Sequence, residues 1–241
     1  MSIPASDYPN VAYHRWLSAS ALQGDRLYGD VHAPMEPFFM RPVPAWKRGM
    51  DIVGALVGLT IFSIPLAIIA LLVKLTSRGP VFYVQERAGH GGEGFKLYKF
   101  RTMVEDAEKK QKGLLEFNER TGPVFKMKSD PRVTSLGRIL RLSSLDELPQ
   151  FFNVLIGEMS LVGPRPLPLK EERALERWHH ERRDVRPGIT GIWQATSREE
   201  SCIDSWMRLD IQYVREISFW LDVKLLLMTI PSVVLRKGAV E

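Results

Sequence analysis

Residues 52–73 read IVGALVGLTIFSIPLAIIALLV, 22 consecutive residues without a charge. As one straight helix the run is about 33 Å long, enough to cross the hydrocarbon core of a bilayer. It starts too far from the N-terminus for a signal peptide and lacks a small-residue cleavage pattern. Two features argue against a plain crossing. Pro65 removes a backbone donor mid-run and kinks a helix, while Ser63 stands close enough to bond a freed carbonyl. Both flanks are basic, with Arg41, Lys47 and Arg48 before the run and Lys74, Arg78 and Arg87 after it. Lysine and arginine favour the cytoplasmic side. Both flanks satisfy that rule together only if the chain enters and returns on one face. A re-entrant, Pro-kinked helix is therefore the expectation, with a single span as the alternative.

The surroundings of this run set further bounds. The chain has 241 residues, 45% of them apolar, and a net charge of +5. That is enough for a sizeable core, and the basic excess suits an anionic partner such as lipid head groups or a phosphorylated substrate. One cysteine, Cys202, excludes an internal disulfide, and no histidine-bearing motif around it marks a nucleophile. The histidines lack metal-ligand spacing, and His179 and His180, in a charged stretch, read as solvated. No P-loop, zinc spacing or aromatic platform for nucleic acid is present. The first 45 residues are proline-rich and read as an irregular arm with a short helix near 11–22.

After the apolar run, VFYVQERA and FKLYKFRTM flank GHGGEG, the pattern of a β-hairpin over 80–104. Strand alternation puts Lys99 and Arg101 on one face about 7 Å apart, a spacing that suits a diphosphate and equally a solvated strand face. Residues 105–120 read as an exposed helix. TSLGRILRL reads as a short helix capped by Thr134 or Ser135, with Arg138 and Arg141 on neighbouring positions of one face.

The stretch SSLDELPQFF, 143–152, sets two acids beside a proline. Ser144-x-x-Glu147 matches a capping box for a helix running to Gly157, with Asp146 in its first turn. Pro164 and Pro166 then hold Arg165 in an extended presentation, fit for a phosphate clamp or a plain connector. Residues 169–184 read as one charged helix that stops near Arg186-Pro187-Gly188. Residues 202–217 read as a helix whose apolar stripe includes Asp210, a carboxylate that needs a partner. The last segment, with Asp222, Lys224 and Pro231, reads as an interfacial helix or a core helix.

Taken together and in order, KRGMD (47–51), the Pro-broken run, KLTSRGPVFYVQER (74–87), KLYKFRTM (96–103), LSSLDELPQFFNVLIGEMSLVGPRP (142–166), RPGITGIWQ (186–194) and WLDVKLLL (220–227) resemble the bacterial sugar transferase family. These are monotopic polyprenol-phosphate phosphoglycosyl transferases, and the resemblance is greatest to undecaprenyl-phosphate galactose or glucose phosphotransferases. It implies an α+β protein with a re-entrant helix over 46–78 and a cytoplasmic catalytic domain over 79–241, at the bacterial inner membrane. The implied reaction passes a sugar 1-phosphate from a UDP-sugar to undecaprenyl phosphate and releases UMP. Asp146 would be the nucleophile, with Glu147 as metal or acid–base partner and Mg²⁺ as cofactor on the pair. Lys99, Arg101, Arg138, Arg141 and Arg165 would offset phosphate charge, and Asp210 and Asp222 are substrate-contact candidates by family position. Membrane lipids are expected partners, nucleic acid is not, and a homodimer is left open. The family often has Ser directly before the kinking proline, whereas here Ile64 separates Ser63 from Pro65. Non-catalytic membership and an ordinary lipid-directed glycosyl transferase releasing UDP are the alternative readings.

Overall fold

The structure is a computed structural model that describes residues 44–118, 127, 129–196 and 202–234. The expectations for the N-terminal arm and its short helix, for most of 119–128, for 197–201 and for Arg236 and Lys237 fall outside those residues.

The apolar run forms two helices, α1 (Ala45–Ile61) and α2 (Ser63–Thr76), bent by 62°. Among the described residues no single helix is long and apolar enough to cross a membrane, and only this bent pair has the combined length. The break lies at Phe62 rather than at Pro65. Pro65 is the third residue of α2, where backbone N–H groups have no intrahelical acceptor, so its missing donor costs little there. Its ring excludes the carbonyl four residues back, at Ile61, which ends α1. Ser63 Oγ donates to the Thr60 carbonyl at 2.8 Å, the role read for it from the sequence.

The pair has two faces. Val53, Val57, Ile61, Ile64, Ile68 and Leu75 are exposed, while Ala55, Ile69 and Val73 are buried against the rest of the chain. Gly58 lets α1 close on a neighbour, since a Cβ there would lie 2.8 Å from the Phe151 ring. The basic residues before the run do not all serve as a solvent-facing flank. Lys47 is buried, and Arg48 donates to the Val154 and Leu155 carbonyls, both at 2.7 Å. Burial of the aliphatic stems, three hydrogen bonds from the Lys47 ammonium and two from the Arg48 guanidinium draw them inward.

The hairpin forms as read. Strands β1 (Phe82–Ala88) and β2 (Gly94–Phe100) pair antiparallel with Tyr83 opposite Lys99. The helix expected over 105–120 is two short pieces within the described residues, α3 (Ala107–Gln111) and a 3-10 segment, Lys112–Phe117, that contains the helix-weakening Gly113. Helix α4 (Ser135–Leu142) is capped by Thr134, whose Oγ1 accepts from the Gly137 N–H at 2.9 Å. A Cβ at Gly137 would collide with the Thr102 carbonyl, so glycine lets α4 sit directly on the continuation of β2.

The capping box does not form. Ser144 takes a left-handed conformation, φ 55°, and its side chain makes no cap bond. Leu145–Glu147 is a single 3-10 turn, and helix α5 (Gln150–Ile156) begins only after Pro149. The chain thus turns sharply before the proline, which frees Glu147 from the backbone. Gly157, φ 95°, closes α5 as expected, with Gly157 and Glu158 N–H groups both bonding the Asn153 carbonyl.

Beyond α5, β3 (Ser160–Val162) pairs in parallel with β4 (Gly188–Thr190). Between them, the single helix expected over 169–184 is split into α6 (Leu169–Arg173) and a 3-10 segment, Arg177–Asp184. Glu176 and His179 cap each other at that break. The split turns charged side chains inward: Glu172, His179 and Arg182 are all buried, so His179 is not the solvated residue that the sequence suggested. Helices α7 (Ile192–Thr196), α8 (Ile203–Glu216) and α9 (Phe219–Val234) complete the order.

A central apolar cluster joins Ala55 of α1, Leu97 of β2, Val154 of α5, Val162 of β3, Tyr213 of α8 and Leu225 of α9. Each fully buried leucine or valine among them contributes about 1.5–3 kcal/mol. Helix α9 is two-sided: Asp222 and Leu225 face this core, while Trp220, Leu227 and Ile230 are exposed. The described residues form an α+β arrangement of helices with two small two-stranded sheets.

Candidate active site

Three separate elements converge on the acid pair. The 3-10 turn Leu145–Glu147 presents Asp146 and Glu147. Strand β2 presents Lys99, whose Nζ donates to Glu147 Oε1 at 2.6 Å. The Pro164-Arg165-Pro166 segment presents Arg165, whose Nη2 donates to the same oxygen at 3.0 Å. Two cations therefore meet on one carboxylate oxygen. Arg141 of α4 joins from a third side, with its Nε on Thr102 Oγ1 at 2.9 Å and its charge acting on Asp146.

The two acids respond differently to this setting. Burial opposes ionisation of Glu147, but Arg165 and Lys99 more than offset it and hold its carboxyl well below the ordinary range. For Asp146 burial dominates; Lys99 pulls the other way, ionised Glu147 adds to the burial effect, and its carboxyl is pushed up. Asp146 is 8% exposed and, among the described residues, no side-chain hydrogen bond reaches its carboxylate. Lys99 is itself lowered by burial, with Glu147 acting against that shift. The arrangement is one fixed anion that gathers cations and one uncommitted carboxylate beside them. Gathered cations suit a diphosphate, and an uncommitted carboxylate suits nucleophilic attack.

Among the described residues no group of three or more His, Cys, Asp or Glu side chains surrounds a metal position. The adjacent pair Asp146 and Glu147 is the available acidic set. Since Asp146 is unbonded and both cations use Oε1 of Glu147, the pair retains free oxygens. One or two carboxylates completed by phosphate oxygens and water is the set that Mg²⁺ commonly takes.

The other sequence candidates lie elsewhere. Arg101 follows the end of β2, and its Nη2 donates to Ser77 O and Oγ at 2.9 and 2.8 Å, at the C-terminal end of α2. It does not share a site with Lys99, because the strand stops at Phe100. Arg138 is exposed on α4. Asp210 pairs with Arg182, and Asp222 with Lys47 at 2.6 Å, both inside the protein. Arg87 was read only as a flanking charge. Its Nη1 donates to the Pro166 carbonyl at 2.8 Å, directly behind Arg165. Strand alternation with Tyr83 and Gln85, combined with the Tyr83–Lys99 register, carries the signal that puts Arg87 on the Lys99 face.

Comparison with known proteins agrees with this geometry. Residues 43–236 match the family model described as bacterial sugar transferase. The chain is 44% identical over 194 residues to the galactosyl transferase CpsE of Streptococcus agalactiae, covering 80% of this chain and 43% of that protein. It is 38% identical over 211 residues to the exopolysaccharide production protein ExoY of Rhizobium meliloti, covering 86% of this chain and 93% of ExoY. It is 41% identical over 204 residues to the undecaprenyl-phosphate galactose phosphotransferase of Salmonella typhimurium, covering 80% of this chain and 41% of that protein. The chain thus spans less than half of two of these relatives and nearly all of the third. With an acid pair, two cations on it and a family match along most of its length, the chain belongs to the bacterial sugar transferase family.

Proposed function

We propose that the chain transfers a sugar 1-phosphate from a UDP-sugar to undecaprenyl phosphate, through a covalent phosphosugar on Asp146, with release of UMP. The observation that carries this reading is the unbonded Asp146 carboxylate beside a Glu147 that holds Lys99 and Arg165. In the first step a carboxylate oxygen of Asp146 attacks the β-phosphorus. The bond to the bridging oxygen breaks, and UMP leaves with that electron pair. In the second step a phosphate oxygen of the lipid attacks the same phosphorus and the acyl-phosphate bond breaks. Asp146 returns to carboxylate and the product is a lipid diphosphosugar. Lys99 and Arg165, fixed by Glu147, and Arg141 offset the negative charge that meets a negative nucleophile. Asp146 and Glu147 would hold Mg²⁺, which supplies charge neutralisation on the diphosphate when bound.

The names of the Salmonella relative and of the UDP-glucose:undecaprenyl-phosphate glucose-1-phosphate transferase of Klebsiella pneumoniae support these substrates. The bent pair supports a place at a membrane. Both of its ends are tied into the same body, Lys47 at one and Ser77 at the other, while its outer face is apolar. A re-entrant pair at the inner face of the bacterial inner membrane puts the acid pair where a soluble donor meets a lipid acceptor. Incubation with a UDP-sugar panel and undecaprenyl phosphate should release UMP, and donor alone should leave a hexose-phosphate mass on Asp146. Release of UDP instead, or no adduct on that residue, overturns the reading.

A further inference from the structure

Arg165 reaches the acid pair from a loop, and a loop cation is only as well aimed as its backbone. Here that backbone is held from behind by two further arginines. Arg182 Nη2 donates to the Arg165 carbonyl. Arg87 Nη1 donates to the next carbonyl, Pro166, at 2.8 Å. The adjoining amide contacts continue the grip, with Ala88 N–H on the Leu167 carbonyl at 2.9 Å and Gly188 N–H on the Pro164 carbonyl at 2.9 Å.

Arg182 is itself immobilised. Its Nε and Nη2 both reach Asp210 Oδ2, at 3.0 and 2.8 Å, and its Nη1 reaches Glu172 Oε2 at 2.9 Å. Arg182, Asp210 and Glu172 are 4%, 1% and 2% exposed. None can touch a substrate without the structure opening. A buried cation with two anions is a poor route to stability, because desolvation consumes much of the attraction. Its geometry is fixed nonetheless, and a planar fork satisfied on three sides is a rigid post. The post ends on the one carbonyl that belongs to Arg165.

We infer that Arg182 is a positioning residue for Arg165: anchored by Asp210 and Glu172, it fixes the loop backbone so that the Arg165 guanidinium meets the donor diphosphate, with Arg87 holding the adjoining carbonyl. This rests on the reading of Arg165 as a phosphate-facing cation. It assigns Asp210 a role through Arg182 rather than as a substrate contact.

The test is a double-mutant cycle on the full chain in detergent, read by calorimetric titration with UDP and, separately, by UMP release. Arg182→Lys keeps a positive charge but not the three-sided fork. It should weaken UDP binding and slow turnover by about 10- to 100-fold, as a misaimed group of this kind does. In an Arg165→Ala background the same change should have almost no further effect, since interacting residues are non-additive. Arg87→Lys is the second variant, should the first fail to fold, and should show the same dependence on Arg165. If either substitution costs as much without Arg165 as with it, the role is merely structural and the inference fails. Coupling in UDP affinity without any UMP release keeps the inference and overturns the transfer reaction. UMP release with additive effects does the reverse.

Discussion

Two of the buried charge clusters among the described residues are built on opposite plans. In the first, Lys47 of α1 spends its donors on Asp222 Oδ2 at 2.6 Å, Tyr213 Oη at 2.9 Å and the Val162 carbonyl at 2.9 Å. Tyr213 in turn donates to Asp222 Oδ1 at 2.7 Å, so both oxygens of that acid are occupied. The cluster is closed, and it staples α1, β3, α8 and α9 together. In the second, Lys99 and Arg165 crowd onto one oxygen of Glu147, while among the described residues no side-chain hydrogen bond reaches the Asp146 carboxylate beside them. A satisfied buried charge speaks of architecture. An uncommitted carboxylate beside gathered cations speaks of chemistry on an anionic substrate.

The sharpest way to break the contrast is Asp146→Asn. Turnover should fall by at least about 10⁴-fold, as for other covalent nucleophiles, while the melting temperature holds or rises because a costly buried acid is gone. UMP release within tenfold of the parent would remove the distinction. Next comes Lys47→Met, which leaves Asp222 buried without its cation and should cost about 3–5 kcal/mol in denaturant unfolding. The pair Lys47→Met with Asp222→Leu should recover much of that loss, which a cluster with a chemical role would not allow in the activity assay. Arg165→Lys keeps charge and loses the fork, so about 10²-fold in kcat is expected with little change in stability. Thr134→Ala lies outside both clusters and removes only the cap of α4. It should cost about 1 kcal/mol of stability and leave donor binding intact, the baseline against which the others are read.

The sequence carried the local half of this picture. Alternation gave the hairpin, glycine gave the end of α5, and the order of motifs drew attention to Asp146 and Glu147. What it could not carry is which charges face inward. Lys47 and Arg48 look like a basic membrane flank, yet their partners lie more than 100 residues away in the chain. Asp210 was visible as an acid needing a partner, but nothing in the charged run 169–184 marks Arg182 as that partner. Ser144 failed as a cap because its backbone is left-handed rather than extended, so a tight turn took the place of the helix start. Arg101 failed as a companion of Lys99 because the strand ends one residue before it. Each miss is a tertiary demand overriding a local pattern.

The bend at Phe62 has one more consequence. Its ring stacks on Phe151 at 6.3 Å, and Phe151 lies one helical turn beyond Glu147. Arg48 grips the far end of that same short helix. If α1 and α2 seat in a lipid leaflet, as proposed, the acid pair would have no independent height: the elbow would act as a depth gauge, reading how far the chain has sunk. An acceptor would then be screened by where its head group floats as well as by its chemistry, and membranes of different thickness should tune the same catalyst differently.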